Sequence, residues 1–178
     1  MKKLKPDILR HNSPKPEQLA KLKRNPIYLV LDNVLDTYNI GSLFRLADAI
    51  GAKKLFICGK GVEYPPSSRI HKAAVGTENW VSWEKVENAT DLIKKLKEKK
   101  VQIISIEQHA DAINYKKLNQ NIKFPIALVV GHETNGISKE VLKLSDIIVE
   151  LPMYGINHSF NVWGSAAVIS YKILEELS

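Results

Sequence analysis

The sequence predicts an α/β protein in which a mostly parallel β-sheet is flanked by helices. One observation is a set of compact apolar runs typical of fully buried strands, such as IYLVLD at residues 27–32 and PIALVVG at residues 125–131. Another is helical spacing of apolar residues between IYLVLD and the next run, KLFICG. The spaced residues are Ile40, Leu43, Phe44, Ala47 and Ile50. A strand, a helix and a strand in this order form a βαβ unit, which implies parallel pairing.

The chain before the first strand, residues 1–24, is predicted to be a basic N-terminal arm that ends in a short helix, PEQLAKLKR. Asn25-Pro26 ends this helix because a residue before proline avoids the helical conformation. Lys2, Lys3 and Arg10 of the arm are candidates for contacts with a phosphate backbone, and a frayed, solvated terminus is the alternative. Residues 25–178 are predicted to form a single domain.

The central and C-terminal parts of the chain continue the alternation of helices and strands. We predict a short helix at about residues 69–74, a brief strand at WVSW, and a helix over NATDLIKKLKEKK capped by Asn88 or Thr90. The strand VQIISIE and a polar, turn-rich segment follow. The last elements are a short helix capped by Ser138, the strand DIIVELP and a closing helix at about residues 161–176.

The composition excludes several classes of protein. Hydrophobic residues make up 44% of the chain and charged residues 25%, which excludes a disordered protein. No apolar run reaches the length of about 18 residues that a membrane span needs, and no signal peptide is evident, so we predict a cytoplasmic protein. The single cysteine, Cys58, lies in the run LFIC and is expected to be a buried structural thiol. No metal-ligand spacing, P-loop or G-x-G-x-x-G motif is present, and no metal is predicted.

The charge of the chain favours a polyanionic partner. The chain has 26 Lys and Arg residues and 19 Asp and Glu residues, which gives a formal net charge of +7. Phosphate contacts supply most of the affinity for nucleic acid, so this surplus suits an RNA or DNA ligand. Many small basic proteins bind no nucleic acid, and the charge alone therefore does not decide the partner.

Polar residues and glycines gather in three loops, each of which follows a predicted buried strand. Open α/β sheets bind ligands at the carboxyl ends of their strands, so we expect the three loops to form one site. The first contains Asn39-Ile-Gly-Ser-Leu-Phe-Arg45, in which Asn39 can cap the helix and Gly41 permits close backbone approach. Arg45 can reach a phosphate, or it can form a salt bridge to Asp48 or Asp32.

The second loop is Gly131-His-Glu-Thr-Asn-Gly136. Its two glycines predict a tight turn whose backbone amides face a ligand. Glu133 can accept from a ribose hydroxyl or orient Arg45, and an ordinary exposed carboxylate is the alternative. His132 is expected to be a bystander.

The third loop is LPMYGINHSFN, residues 151–161, at the start of the closing helix. Ser159 and Asn161 are two positions apart, so at most one of them caps the helix and the other can bind a ligand.

Together, the patterns NxGxxxR, GxExxG and PMxGxxxSxN, in this order and after these strands, resemble the SpoU/TrmH-type RNA 2′-O-ribose methyltransferases of the SPOUT superfamily. The resemblance covers about residues 26–174, with an approximate further match at HKAAVGTENW. It implies a homodimer, S-adenosyl-L-methionine as the methyl donor, and a deep trefoil knot at about residues 126–178. Rules of chain topology alone would not predict a knot. The small size of the chain favours tRNA over rRNA as the substrate.

The resemblance also assigns roles to individual residues. Arg45, Asn39, Glu133, Ser159 and Asn161 would form the catalytic site, in which Arg45 grips an RNA phosphate and polarises the 2′-hydroxyl. The cofactor would be held by Ile106, Glu107, Gly131, Glu133, Gly136, Ile147, Leu151, Met153, Ser159 and Asn161. RNA would be bound by Arg45, Arg69, Lys72, Lys2, Lys3 and Arg10. Phe160 and Trp163 are bulkier than the family's usual residues at these positions.

Two other functions stay open on the sequence. A non-catalytic RNA-binding scaffold on the same fold has no need of all five catalytic side chains, and failure to bind S-adenosylmethionine would favour it. A methyltransferase for small molecules or proteins is disfavoured by the positive charge.

Overall fold

Seven parallel strands form one sheet in this computed structural model, which describes residues 14–177. In chain order the strands are β1 (Asn25–Asp32), β2 (Ala52–Cys58), β3 (Trp83–Val86), β4 (Gln102–Ile106), β5 (Ile113–Asn114), β6 (Ile126–Gly131) and β7 (Ile147–Glu150). Their order across the sheet is β3-β2-β1-β6-β4-β7-β5. The prediction of a mostly parallel sheet is confirmed. Lys2, Lys3 and Arg10 lie outside the described residues.

Helices cover both faces of the sheet. They are α1 (Pro16–Lys21), α2 (Thr37–Ala49), α3 (Ser68–Ala74), α4 (Ala89–Glu98), α5 (Lys139–Leu144) and α6 (Val162–Leu174). Short 3-10 helices lie at Thr77–Asn79, Tyr115–Asn121 and Glu175–Leu177. Helices α2, α3 and α6 share one apolar layer with the sheet, and α4 and α5 share the other.

The central strands are apolar on both sides because both faces are covered. In β6 all six residues are buried, and neighbouring residues face opposite layers: Leu128 packs with α2 and α6, and Val129 packs with α4 and α5. The burial that the sequence predicted for PIALVVG therefore comes from this central position between β1 and β4.

Several boundaries and caps differ from the sequence-based predictions. Asn39 does not cap α2; the cap is Asp36, whose carboxylate accepts from the Tyr38 amide at 2.8 Å. Asn88, and not Thr90, caps α4. The polar, turn-rich segment contains the two-residue strand β5, which pairs with β7. Such a short strand forms because of the residues with which it pairs far along the chain. The local sequence therefore gives little indication of it.

Candidate functional site

A pocket opens at the carboxyl edge of the sheet, where the loops after β4, β6 and β7 meet. The predicted cofactor residues that line it are Ile106, Glu107, Gly131, Glu133, Gly136, Leu151, Met153 and Ser159. Ile147 is not among the lining residues, because it is the first residue of β7 and lies beside Ile104 towards the other end of the sheet. Asn161 does not line the pocket either, because its side chain caps α6.

Glu133 connects the second loop to the start of α2. Its Oε1 accepts from the Asp36 amide at 3.0 Å and from Nδ2 of Asn39 at 2.9 Å. Its Oε2 accepts from the Leu35 amide at 3.2 Å. Partial burial raises the pKa of Glu133, but hydrogen bonds from Asn39 and from backbone amides together outweigh it and leave the pKa below its usual value. Glu133 is therefore ionised at neutral pH and holds Asn39 in place.

The expectation that Glu133 orients Arg45 is not met within this chain, where Glu133 is bonded to Asn39 and to amides of the α2 start. Arg45 lies about two turns further along α2 and is exposed. It forms no hydrogen bond or ion pair with any residue between 14 and 177.

The predicted alternative for Arg45, a salt bridge to Asp48 or Asp32, is absent because both carboxylates have other partners. Asp48 accepts from Nε1 of Trp80 at 2.8 Å. Asp32, which is 1% exposed, accepts from the amide and hydroxyl of Ser138 at 2.9 and 2.7 Å. The guanidinium of Arg45 is therefore available to a ligand.

Gly41 permits a close approach, but the approaching group is a helix and not a ligand. A Cβ on Gly41 would lie 2.5 Å from Cβ of Ala73 and 2.7 Å from the carbonyl oxygen of Ile70, both on α3. Through this contact α2 positions α3, whose exposed Arg69 and Lys72 are the predicted RNA-binding residues. The two helices thus place Arg45, Arg69 and Lys72 on the same layer of the molecule.

The loop from Gly131 to Gly136 is as tight as the glycines predict, but its amides are used internally. A Cβ on Gly131 would lie 2.2 Å from the backbone carbon of Gly136. The amides of Thr134 and Asn135 donate to Nδ1 of His132, at 3.0 and 3.4 Å. These amides hold the loop together and do not face a ligand.

Two carboxylates that support these loops were missed or underestimated by the sequence analysis. Asp32 ends β1 and anchors Ser138, so the hydroxyl of Ser138 bonds Asp32 and does not cap α5. Glu107 accepts from the Ile137 amide at 2.8 Å, and its Oε2 occupies the space that a Cβ on Gly136 would enter at 2.3 Å. An acidic residue at the end of a buried strand, or directly after it, is the signal in the sequence that could have identified both.

In the third loop, the structure shows which of Ser159 and Asn161 caps α6. Oδ1 of Asn161 accepts from the Trp163 amide at 3.0 Å and caps α6. Ser159 lines the pocket, and its hydroxyl has no partner among the described residues. Phe160 also lines the pocket, with its ring against Gly164, where a Cβ would come within 2.8 Å of the ring.

The pocket is acidic. Glu107, Glu133 and Glu150 line it, and no lysine or arginine among residues 14–177 does. Such a wall favours a ligand that carries a positive charge close to it. Within the described part of the chain, no cluster of three or more His, Cys, Asp or Glu side chains could hold a metal ion. In the same part, no helix is both long enough and apolar enough to cross a membrane.

The parallel sheet and the acidic pocket at its carboxyl edge define an α/β protein whose candidate ligand site lies where open parallel sheets bind their ligands. The model of the SpoU rRNA methylase family matches residues 26–171, and the chain belongs to this family. This confirms the resemblance seen in the three motifs.

Relatives of the chain act on two kinds of RNA. The chain is 27% identical over 161 residues to the tRNA (guanosine(18)-2′-O)-methyltransferase of Borreliella burgdorferi, covering 90% of this chain and 72% of the relative. It is 30% identical to the 23S rRNA (guanosine-2′-O-)-methyltransferase RlmB of Ralstonia nicotianae, covering 91% of this chain and 64% of the relative.

Solved structures have the same fold. The TrmH/SpoU tRNA modifying enzyme of Aquifex aeolicus superimposes with a TM-score of 0.77 at 27% identity, over 90% of this chain and 82% of that one. An AdoMet-bound rRNA methyltransferase from Sinorhizobium meliloti superimposes with a TM-score of 0.79 at 23% identity, over 88% and 59% of the two chains.

Proposed function

We propose that the protein transfers a methyl group from S-adenosyl-L-methionine to a ribose 2′-hydroxyl of structured RNA. The observation that carries this proposal is the Asn39–Glu133 hydrogen bond, which joins the acidic pocket to the helix that bears Arg45. Arg45 has no partner among residues 14–177. The family match and the guanosine 2′-O-methyltransferase activities of the relatives support the reaction class.

The pocket fits the proposed cofactor by its charge. When bound, S-adenosylmethionine supplies a methyl group activated by a positively charged sulfonium, which the carboxylates of Glu107, Glu133 and Glu150 would favour. Backbone groups of Gly131, Leu151 and Met153 and the Ser159 hydroxyl would hold it. The AdoMet-bound neighbour from Sinorhizobium meliloti supports this cofactor.

The side chains around the pocket would prepare the RNA hydroxyl. A 2′-hydroxyl is a weak nucleophile, which must lose its proton at or before transfer. Arg45 would grip an adjacent phosphate with its guanidinium and polarise the hydroxyl. Asn39, fixed by Glu133, would contact the ribose, and Ser159 would complete the pocket.

Cations on α3 would extend the RNA site. Arg69 and Lys72 are exposed on the layer that carries Arg45, so they can contact phosphates on either side of the target nucleotide. We favour tRNA as the substrate, although relatives act on tRNA and on 23S rRNA. Mapping 2′-O-methyl groups in RNA from cells with and without the gene would identify the target.

We further propose the homodimer and the C-terminal trefoil knot, at about residues 126–178, that the family resemblance implies. The exposed apolar face of α6 supports the dimer, with Trp163, Val168 and Tyr171 at 44%, 41% and 55% exposure. A second copy that covered this face would remove apolar surface from water.

Replacing Arg45 tests the proposed function. Arg45→Ala should reduce methyl transfer to RNA by at least about 100-fold, as expected for loss of a group that stabilises the reacting centre, and should leave S-adenosylmethionine affinity nearly unchanged. Lys94→Ala is the matched control, because Lys94 is an exposed cation on α4, in the opposite layer. Wild-type rates for Arg45→Ala on a true substrate would disprove the role. A wild-type chain that binds RNA but no S-adenosylmethionine would favour the scaffold.

A further inference from the structure

His132 lies at the mouth of the loop after β6, half-buried and in contact with the pocket. Its Nδ1 accepts from the backbone amides of Thr134 and Asn135. A ring nitrogen that accepts hydrogen bonds carries no proton, so the neutral ring carries its proton on Nε2. The loop thereby fixes the tautomer of this histidine.

The Nε2–H group of His132 is a hydrogen-bond donor that the loop does not use. Within residues 14–177 it has no hydrogen-bond partner. The backbone amides around it are already engaged: Gly136 donates to the His132 carbonyl at 2.9 Å, and Ile137 donates to Glu107. Among the described residues, the charged side chains that line the pocket are all carboxylates, which can only accept.

We propose that Nε2–H of His132 donates a hydrogen bond to the adenosine half of the bound S-adenosyl compound, at a ribose hydroxyl oxygen or a purine ring nitrogen. This inference rests on the proposed function. The carboxylate walls suit the sulfonium and amino groups of the ligand, and a neutral imidazole N–H suits an uncharged acceptor. The carboxylate of the ligand would face away from this acidic part of the pocket.

Replacing His132 by asparagine separates its two roles. The Oδ1 of asparagine can accept from the Thr134 and Asn135 amides as Nδ1 does, whereas the distal donor is lost. We expect His132→Asn to keep the wild-type unfolding temperature and to bind S-adenosylmethionine about tenfold more weakly by calorimetry, as for loss of one hydrogen bond. His109→Asn is the control. Nδ1 of His109 likewise accepts from a backbone amide of its own loop, that of Asp111 at 3.1 Å, but His109 does not line the pocket.

A truncated ligand tests which half of S-adenosylmethionine accepts the hydrogen bond from His132. Methylthioadenosine keeps the adenosine and lacks the amino-acid part, so His132→Asn should weaken its binding by about the same tenfold. A loss seen with S-adenosylmethionine and absent with methylthioadenosine would overturn the assignment to adenosine.

Unchanged affinity of His132→Asn for both ligands would overturn the proposed donor while leaving the proposed function intact. A wild-type chain that binds neither ligand would overturn both. If His132→Asn lowers the unfolding temperature, His132→Gln decides, because glutamine retains a distal N–H and lacks the loop acceptor. Affinity restored towards the wild-type value by glutamine supports the donor role, and affinity as weak as that of the asparagine variant contradicts it.

Discussion

The carboxylate of Glu133 is held by three N–H donors, and this predicts how stability depends on pH. The pKa of Glu133 is lower in the folded chain than in the unfolded chain, where it is about 4.3. The stabilisation is therefore complete above the unfolded pKa and is lost as the pH falls through the folded pKa. We expect Glu133→Gln to lower the free energy of unfolding at pH 7 by about 1 kcal/mol, a value reduced by solvent exposure.

Urea unfolding at several pH values would measure this effect. The difference between the wild type and Glu133→Gln should shrink as the pH falls below about 4. Glu140→Gln, on the exposed surface of α5, is the control and should show no such convergence. A difference that stays constant with pH would contradict the assignment of this carboxylate.

The thiol of Cys58 is expected to be chemically inert in the folded protein. Burial in the sheet, followed by the nearby charges of Asp32 and Glu84, raises its pKa to about 12. The nucleophilic thiolate is therefore scarce at neutral pH. An aromatic disulfide reagent at pH 8 should leave Cys58 unmodified in the native chain and titrate one thiol in urea. Rapid labelling of the native chain would show that the sheet opens around β2 more readily than its burial indicates.

At the scale of elements, α2 and α3 pack closely because Gly41 of α2 has no side chain. Alanine stabilises a helix interior by about 0.8–1.0 kcal/mol relative to glycine, so helix propensity predicts that Gly41→Ala is favourable. The added Cβ would instead meet backbone atoms of α3, at 2.7 Å from the Ile70 oxygen and 2.8 Å from the Ala74 nitrogen. Backbone cannot move aside as a flexible side chain can.

We therefore expect Gly41→Ala to lower the free energy of unfolding by about 2–3 kcal/mol, as overpacking does. Ser42→Ala, the next residue on the same helix, should change it by less than about 0.5 kcal/mol. Chemical denaturation of the two variants would measure the difference. A stabilised Gly41→Ala variant would mean that helix propensity outweighs the contact and that α3 can shift.

Elements with strong periodicity could be predicted from the sequence, and contacts between distant residues could not. The buried strands β1 and β6 and helix α2 follow from local patterns of apolar residues. The bond from Ser138 to Asp32 joins residues 106 positions apart, and the Asn39–Glu133 bond joins residues 94 apart. Such pairs depend on strand order, which local sequence does not encode.

The candidate site divides in the same way. The motifs located two loops of the pocket, after β6 and β7, because glycines and polar residues after buried strands are visible in the sequence. The first motif loop, Asn39 to Arg45, does not line the pocket and is connected to it by the bond between Asn39 and Glu133. The partners within those loops were not visible: Glu133 binds Asn39 in place of Arg45, and Ile147 lies away from the pocket. The sequence predicts a bystander at His132, because nothing in it shows that Nδ1 of this ring accepts from two backbone amides.

At the scale of the whole molecule, the exposed apolar side of α6 predicts that two copies of the chain associate. Trp163, Ala167 and Tyr171 are four positions apart, so they lie on one helical face, and Val168 adjoins it. In a monomer this face would leave large apolar side chains in water, beside the loop in which Tyr154 and Ile156 are 88% and 96% exposed. A contiguous apolar surface of this kind is typical of an interface.

We expect the wild type to behave in light scattering as a particle of twice the 20.1 kDa chain mass. The double variant Val168→Lys, Tyr171→Lys should run as a monomer, because two charges on each copy would have to be desolvated at the contact. Leu22→Lys is the control, since Leu22 is similarly exposed, at 43%, and lies outside α6. A wild-type chain that stays at 20.1 kDa at high concentration would leave the apolar face to some other partner and contradict the dimer.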